Sequence, residues 1–561
     1  MVSPRVVVRR GFQARTIGVL AVIGCNACGM LAADHVTVGA DNAASGAAAV
    51  STNGGGVSGG GVGGSTGGAG RGGTGPGGTA GLGGDVGGNS AAPPLNAGGA
   101  AGAVPVAGTS GGGSVSPECV GASSVTGNVQ VYAGSATDML MRAISGDLTI
   151  YATTNGLAQL RCLETVGGNL EIRLGGGSLE ALGHLRSVGL DLTILGNTTL
   201  VDMSAFSSLT SVGGLMLKGN SNLIRLTGLE NLRDLFDLTL TDNAHLQDVD
   251  ALSNVVGRGG EIDIGSNGAL VSLAGLHGLP KANGITIQYN PLLANLTGLS
   301  GMSEVSGFVA IRSNASLANL GGFGSVRSMI GLELADNPKL QNIDALATSL
   351  VSLQKFALSN SPLISTLEGL RNLTSLDSAS INGVGLTTLN GLRNLEAASA
   401  LVVTDTKLQD LTGLGKLVID GDPTSPGLDP SSLDIESNQQ LTSLAGLSPQ
   451  NREFVSITIR LNPKLVDLSG LEMVQSVTQS LAIEENNALS SLTGLDNLTS
   501  AFSLSITDQP ALTSLAPLAG LKISYSAGIR RNPKLSTCAV QQLVTRWGAS
   551  SAEVEDNGPC N

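Results

Sequence analysis

The segment ITIQYNPLLANLTGLSGM, Ile285–Met302, contains the pattern that determines the fold. Its first residues alternate, with Ile285 and Ile287 on either side of one polar residue, which predicts a strand with one buried face. Further apolar residues then recur at intervals of three, at Leu293, Leu296, Leu299 and Met302. This interval fits a tight, three-sided coil better than an α-helix, whose period is 3.6 residues.

The same aliphatic–x–aliphatic triplet recurs along most of the chain. The triplets begin at Leu148, Leu170, Leu192, Leu215, Leu238, Ile262, Ile285, Val309, Leu332, Phe356, Ala379, Leu401, Leu433, Ile457, Leu481 and Leu504. A degenerate last copy ends at Ile529, and an extra first copy begins at Val129. Successive starts lie 22 to 24 residues apart, apart from one interval of 32 after Leu401. A fixed period of this kind predicts a repeat solenoid, here a mainly parallel β-solenoid of about 17 coils.

Asparagine recurs three residues after the second aliphatic residue of most triplets. These asparagines are Asn197, Asn220, Asn243, Asn267, Asn290, Asn314, Asn337, Asn438, Asn462, Asn486 and Asn532. They could form a ligand-binding row, or an inward ladder that satisfies backbone groups where the strand turns. Their constant position favours the ladder.

Glycine recurs in TGL and AGL motifs, as at Gly275 and Gly298, where we expect a side chain to obstruct the turn or the next coil.

The segment RCLETVGGNLEI, Arg161–Ile172, with LTGLENL and LTSVGGLMLKGN downstream, resembles the receptor L-domain branch of leucine-rich-repeat solenoids. The resemblance covers about residues 119–540. In that family a cysteine-containing first turn caps the solenoid, so the resemblance implies a Cys119–Cys162 disulfide. These cysteines are nearly two coils apart in sequence, which requires the first turn to fold back.

The C-terminal segment departs from the repeat. The stretch AVQQLVTRW predicts a short amphipathic helix that carries Val540, Leu543, Val544 and Trp547, the single tryptophan. We expect this helix to cover the last coil, because solenoid ends need caps that prevent end-to-end pairing. A Cys538–Cys560 disulfide would hold it in place. The predicted solenoid therefore spans residues 119–537 and the helical cap spans residues 538–561.

The N-terminus has the layout of an export signal, assigned to residues 1–24. Four arginines precede a short apolar core, which is far below the roughly 18 residues needed to cross a bilayer. The following VIGC resembles the lipobox of bacterial lipoproteins, which implies lipidation of Cys25. A plain signal peptide cut at another small residue is the alternative. RRGF, Arg9–Phe12, resembles a twin-arginine motif, and the general secretory route remains open.

Residues 25–118 are rich in Gly, Ala and Ser and predict a disordered tether, because they lack the apolar content to offset the entropy of ordering. Together with the signal, the tether predicts an exported protein, lipid-anchored at the bacterial outer membrane or cell surface. The chain carries 43 acidic against 30 basic residues. This balance argues against nucleic acid or an anionic membrane surface as a partner, so membrane contact is expected through the lipid anchor alone.

We find no catalytic or metal-binding pattern in the sequence. The four histidines have no zinc-ligand spacing, and no G-x-S-x-G elbow occurs. We therefore predict neither an enzyme nor a bound cofactor or metal. The 32-residue interval contains an acidic insertion, Asp420–Ser432, which is either a tolerated loop or a weak cation site.

The outward side of the predicted sheet is the candidate binding face, because the middle residue of each triplet and its flanks point away from the core. The candidate residues are Glu171, Arg173, Asp263, Thr286, Gln288, Arg312, Glu333, Asp434, Glu436, Thr458, Arg460 and Glu484. We expect this face to be almost free of aromatic residues. Its varied side chains favour non-catalytic recognition or adhesion, with a protein or an envelope polymer as partner. A structural spacer of the cell envelope is the alternative.

Overall fold

The computed structural model describes residues 117–132, 139–151, 157–173, 175–419, 431–447, 450 and 452–560. The predicted export signal, the lipidation site Cys25 and nearly all of the predicted tether lie outside the described residues. So do residues 420–430, which include all the aspartates of the acidic insertion. Both interpretations of the insertion therefore stay predictions.

The described residues form a parallel β-solenoid. Twenty-five strands make one sheet and two short strands, β13 and β15, make a second. In chain order the strands are β1 Ser123–Val125, β2 Val129–Val131, β3 Met141–Ile144, β4 Leu148–Ile150, β5 Thr165–Val166, β6 Leu170–Ile172, β7 Ser187–Leu195, β8 Ser211–Lys218, β9 Asp234–Leu235, β10 Asp237–Thr241, β11 Val256–Gly257, β12 Glu261–Gly265, β13 Lys281–Ala282, β14 Gly284–Gln288, β15 Glu304–Val305, β16 Phe308–Arg312, β17 Ser328–Ala335, β18 Ser352–Ser359, β19 Ser375–Asn382, β20 Ala397–Thr404, β21 Val418–Ile419, β22 Ser432–Glu436, β23 Glu453–Arg460, β24 Ser476–Glu484, β25 Ser500–Thr507, β26 Lys522–Arg530 and β27 Ser551–Glu555. The predicted fold class, a mainly parallel β-solenoid with a short C-terminal helix, is confirmed.

Short 3₁₀ helices return the chain from one strand to the next. They span Pro117–Cys119, Ala158–Leu160, Glu180–Leu182, Ser204–Phe206, Asp250–Leu252, Ala274–Leu276, Thr297–Leu299, Gly321–Phe323, Asp344–Thr348, Glu368–Leu370, Asn390–Leu392 and Ala516–Leu518. In the coil that begins at Ile285, the apolar residues spaced by three are all buried. The three-residue interval of the sequence is therefore the side-chain period of a 3₁₀ turn and the bends beside it.

Equivalent triplets stack in register, so that the core is one continuous column. Ile285 pairs with Ile262 in the preceding coil and with Val309 in the following coil, and both neighbours are buried as well. Along most strands the burial alternates, which leaves the middle residue and the flanks of a triplet on the outer side. Ala310, whose side chain is small, is a buried exception among the middle residues. We call this outer side of the 25-stranded sheet the sheet face.

The asparagines form an inward ladder, as predicted. Asn290 is fully buried, and its Nδ2 donates to the Ile264 carbonyl oxygen of the preceding coil at 2.9 Å. Its Oδ1 accepts the backbone N–H of Asn267 at 3.2 Å. Other residues take the asparagine position at three consecutive coils, namely Ser361, Val384 and Thr406, and once more near the C-terminal end, where the residue is Gln509.

The recurrent glycines lie where neighbouring coils make backbone contact. A Cβ atom added to Gly298 would be 1.8 Å from the Leu273 carbonyl oxygen of the preceding coil, and one added to Gly275 would be 1.9 Å from the Val249 carbonyl oxygen. These distances are far below a van der Waals contact, so the absence of a side chain sets the coil spacing at these positions. The prediction that a side chain would obstruct the next coil is confirmed.

Disulfides close both ends of the solenoid. Cys119 and Cys162 are bonded with a Cα–Cα distance of 5.5 Å, and the Cys162 Sγ lies 3.9 Å from the Glu118 carbonyl oxygen. The first turn, Pro117–Cys119, therefore lies directly against Cys162, although nearly two coils separate the two cysteines in sequence. At the other end, Cys538 and Cys560 are bonded with a Cα–Cα distance of 5.1 Å.

One α-helix, α1 Thr537–Trp547, packs on the last coils. Ser536 caps its N-terminus and Gly548, with φ of 77°, ends it. Trp547 is buried, and its Nε1 donates to the Leu518 carbonyl oxygen at 2.8 Å. Beyond α1 the structure adds a strand that the sequence pattern did not predict, because the chain returns to the sheet as β27. The segment after α1 is thus a further coil of the solenoid as well as a cap.

Candidate functional site

All twelve candidate residues lie on the sheet face. Six occupy middle positions of their triplets, namely Glu171, Asp263, Thr286, Glu333, Asp434 and Thr458. The other six follow the second inward residue, namely Arg173, Gln288, Arg312, Glu436, Arg460 and Glu484. Arg173 is exposed and the rest are half-buried. Parallel stacking places side chains of successive coils about 4.8 Å apart, so charged residues of neighbouring coils can pair.

Two acidic residues lie apart from the others in the N-terminal half of the sheet face. Glu171 pairs at 2.7 Å with Arg173, which directly follows the same strand. Burial raises the pKa of Asp263, and the nearby carboxylate of Asp242 adds to the rise while Lys218 opposes it. Asp263 Oδ1 is buried and has no hydrogen-bond partner among the described residues. These two positions are several coils apart, so they do not form one site.

In the middle of the sheet face, Arg312 and Glu333 form a bidentate ion pair across two adjacent coils. The Arg312 Nε lies 2.6 Å from Glu333 Oε1, and its second guanidinium nitrogen contacts the other carboxylate oxygen at 2.5 Å. Thr286 and Gln288 lie in the strand on the other side of Arg312. The pair is electrically neutral, which makes it a fixed polar feature rather than a region of net charge.

A third group occupies β22, β23 and β24 and carries an excess of negative charge. We call Asp434, Glu436, Arg460 and Glu484 the 434–484 cluster. Arg460 contacts Glu436 at 2.5 Å, and their side chains are only 27% and 13% exposed, so solvent screens this pair less than an ordinary surface pair. Glu484 accepts a hydrogen bond from the Ser505 hydroxyl at 2.8 Å.

Within this cluster, Asp434 has the most strongly perturbed environment. Burial raises its pKa to about 6, the Glu436 carboxylate contributes to the rise, and Arg460 opposes it. Asp434 Oδ1 is buried without a hydrogen-bond partner in the part of the chain that the structure describes. A carboxylate in this position is under-compensated, since its one nearby cation is already bonded to Glu436.

Small side chains separate the Arg312–Glu333 pair from the 434–484 cluster. The middle residues of the three strands between them are Ala357, Ser380 and Val402. Four strand spacings of about 4.8 Å put the two charged groups roughly 19 Å apart. The asparagine ladder is interrupted in this same region.

The sheet face carries more aromatic residues than expected, because a stacked aromatic pair lies near each of its ends. Tyr132 and Tyr151 occupy flanking positions of the first two coils and stack with ring centroids 5.0 Å apart. Near the other end, Phe502 and Tyr525 stack at 5.1 Å, just before the central residues of β25 and β26. The two residues of each pair lie about one repeat apart in sequence. The repeat period could therefore have predicted that they are neighbours.

The described residues contain no group of three or more His, Cys, Asp or Glu side chains placed to hold a metal ion. Among these same residues, no helix is both long enough and apolar enough to cross a membrane. The chemistry that the sheet face offers is that of fixed charges, hydrogen-bond acceptors and small hydroxyls, which suits non-covalent binding.

Comparison with known proteins returned solved structures alone. No protein-family model matches the sequence, and no curated protein matches it. An internalin from Listeria monocytogenes is 19% identical, with 66% of this chain and 81% of that chain covered and a TM-score of 0.29. A leucine-rich-repeat protein of Leptospira interrogans is 16% identical, with coverage of 61% and 84% and a TM-score of 0.36. A leucine-rich-repeat protein from Bacteroides eggerthii is 13% identical, with coverage of 65% and 71% and a TM-score of 0.26. Identities and TM-scores this low indicate nothing about a ligand.

Proposed function

We propose that this chain is a cell-surface lipoprotein whose solenoid recognises a protein partner, without catalysis, through the sheet face. The observation that carries the proposal is the 434–484 cluster. Three carboxylates there share one guanidinium, and Asp434 is partly buried with an unsatisfied oxygen. A solenoid that needed only to stack its coils would gain nothing from this arrangement, because a desolvated charge without a partner destabilises the folded state.

A protein partner fits this cluster better than an envelope polymer does. The cluster carries three carboxylates against one guanidinium, and this excess of negative charge attracts cationic groups, which Lys and Arg side chains of a protein supply. The Arg312–Glu333 pair offers a second, neutral contact about 19 Å away, beyond three strands whose middle residues are small. This distance corresponds to about six residues of an extended chain laid along the solenoid.

The alternative function is a structural spacer of the cell envelope. The uniform small residues at Ala357, Ser380 and Val402 favour it locally, because a spacer needs no varied surface. The two functions differ in where neighbours touch the solenoid. Recognition concentrates contacts on the sheet face at the 434–484 cluster, whereas a spacer makes contacts of similar strength on several sides.

Site-specific photo-crosslinking in intact cells tests the proposal. A photoreactive residue replaces Thr458, which lies between the strands of Asp434 and Glu484, and the matched control replaces Thr513, an exposed threonine away from the face strands. We expect a discrete protein adduct from position 458 that is absent from position 513 and is lost in an E436Q/E484Q background. The charge control is E304Q, at an exposed glutamate outside the sheet face, and this change should leave the adduct unchanged.

Adducts of equal yield at positions 458 and 513 would favour the spacer, and the absence of an adduct at position 458 would contradict recognition through the 434–484 cluster. Surface display is tested separately, by protease treatment of intact cells with a periplasmic protein as leakage control. We expect loss of the folded solenoid while the control survives. Protection of both would place the solenoid inside the envelope and contradict the proposed location.

A further inference from the structure

The last strand of the sheet, β27, has a neighbour on one side only. It pairs in parallel with β26, Ala552 opposite Ala527 and Val554 opposite Ile529. Among the described residues, β26 is the one strand with which β27 pairs. Helix α1 covers the core of the last coils, but β27 remains accessible, with four of its five residues exposed and Val554 half-buried. An accessible edge strand is a template for pairing with another strand.

The direction of the backbone N–H and C=O groups at this edge follows from the hydrogen bonds that equivalent residues make in other coils. Within the sheet, the first inward residue of a triplet donates its N–H to the next coil, as Leu148 does to Asn169 at 2.8 Å. The second inward residue accepts from the next coil, as Ile150 does from Arg173 at 3.0 Å. Ala552 and Val554 occupy these two positions in β27. Their N–H and C=O groups are therefore directed to the place where another coil would stack.

We propose that β27 is an edge at which two copies of this chain associate, with their β27 strands antiparallel about a two-fold axis at Glu553. In this register Ala552 of one copy faces Val554 of the other, and the two strands exchange four N–H···O=C bonds. Inward side chains then stay on the core side of both sheets. A second copy fits because it presents the same groups and the same alternation, which is the requirement for a two-fold interface.

Glu553 controls the strength of this association. On the axis it faces Glu553 of the second copy in a non-hydrogen-bonded position, where Cα atoms approach to about 4.5 Å and like charges are destabilising. Arg530 contacts the Glu553 carboxylate at 2.5 Å, which offsets part of the repulsion. Glu555 faces Ser551 and meets no like charge in this register. The wild-type pair is thus weak, and removal of the Glu553 charge strengthens it.

Disulfide trapping tests the register. A Glu553→Cys variant is made in the full chain with Cys25 and Cys28 replaced by serine, since Cys119, Cys162, Cys538 and Cys560 are already bonded to one another. Mild oxidation should produce a disulfide-linked dimer. The matched control, Glu555→Cys, lies on the same strand and is just as exposed, but its two copies would be about 13 Å apart. Equal cross-linking of the two variants would overturn the proposal.

Loss of the edge hydrogen bonds provides a second test. Ala552→Pro removes an N–H from the open edge and should abolish trapping at position 553. An unchanged thermal unfolding midpoint of that variant shows that it has folded. Trapping that survives Ala552→Pro would mean that copies meet by another route and would contradict strand pairing.

Sedimentation equilibrium measures the role of Glu553. Glu553→Gln should tighten the dimer dissociation constant about two- to fivefold, the range expected when an opposed like-charge pair is removed. Glu485→Gln, at an exposed glutamate in the turn after β24, removes the same charge elsewhere and should leave the constant unchanged. An equal effect of the two changes would show that net charge, and not the edge, governs association.

Discussion

Removal of one asparagine from the ladder should destabilise the solenoid well beyond the loss of a surface hydrogen bond. In Asn290→Ala, the backbone N–H of Asn267 loses its 3.2 Å acceptor and the Ile264 carbonyl oxygen loses its 2.9 Å donor. The Gln288 carbonyl oxygen also loses a 2.9 Å bond, but it still accepts from the Ser266 N–H at 3.0 Å. All of this occurs at a fully buried position, where water cannot replace the lost partners.

The magnitude can be estimated from those groups. An orphaned buried donor costs about 1–3 kcal/mol, and loss of a further bond to a buried carbonyl adds about 1 kcal/mol. We therefore expect Asn290→Ala to lower the free energy of unfolding by about 3 kcal/mol. The effect should be greatest in the coils that Asn290 joins, because a solenoid coil contacts only its neighbours.

Urea unfolding followed by circular dichroism measures the cost, and amide hydrogen exchange locates it. Asn283→Ala is the matched control, since Asn283 is exposed and its amide oxygen accepts only a 3.3 Å bond from the Ser306 hydroxyl. The control should change stability by less than about 0.5 kcal/mol. A cost for Asn290→Ala no larger than that of the control would refute the reasoning. Loss of protection confined to coils distant from Asn290 would do the same.

Three further predictions concern coil spacing, the 434–484 cluster and the interrupted ladder. Gly298→Ala should cost about 2 kcal/mol in urea unfolding because its Cβ would be 1.8 Å from a carbonyl oxygen, whereas Gly520→Ala, with open space around it, should be nearly neutral. Asp434→Asn should stabilise the protein by about 1 kcal/mol at about pH 7.5, since the folded-state pKa of about 6 exceeds the unfolded value near 3.9 and the charged form is therefore disfavoured in the folded state. That gain should narrow as the pH falls through 6 and vanish below about pH 4; a gain that grows towards acid pH would show the sign to be wrong. In the wild type, residues 356–406 should exchange amide hydrogens faster than residues 262–337, whose ladder is continuous, and equal protection would show that the ladder contributes little.

Part of the charge pairing on the sheet face could be predicted from the sequence. Arg312 follows the second inward residue of one triplet and Glu333 is the middle residue of the next, so strict register alone predicts that they are neighbours. The same reasoning relates Glu436 to Arg460. The burial of Asp434 was not predictable in this way, because it depends on how closely the side chains of β20, β22 and β23 pack around it.

The last strand, β27, was not predicted from the sequence for a different reason. Ala552 and Val554 repeat the triplet 25 residues after Ala527, but alanine is a weak apolar signal and α1 intervenes. Asn557 continues the ladder, donating from Nδ2 to the Ile529 carbonyl oxygen at 2.7 Å, and its position three residues after Val554 was the available sequence signal. Hydrogen bonding to β26 recruits this segment as a strand, and that interaction is not local in sequence.

The sequence alone was sufficient to predict the coil: its period, its inward residues, its asparagine ladder and the glycines that allow coils to approach. These features obey local rules, since side-chain direction alternates along a strand and a repeated unit buries its apolar face against its own copy. Tertiary packing, by contrast, determines which carboxylates share a cation, which of them lie half out of water, and which edge of the sheet stays open. Those properties arise between coils, where the distance and desolvation of each charge are set by neighbours about one repeat or more away in the chain.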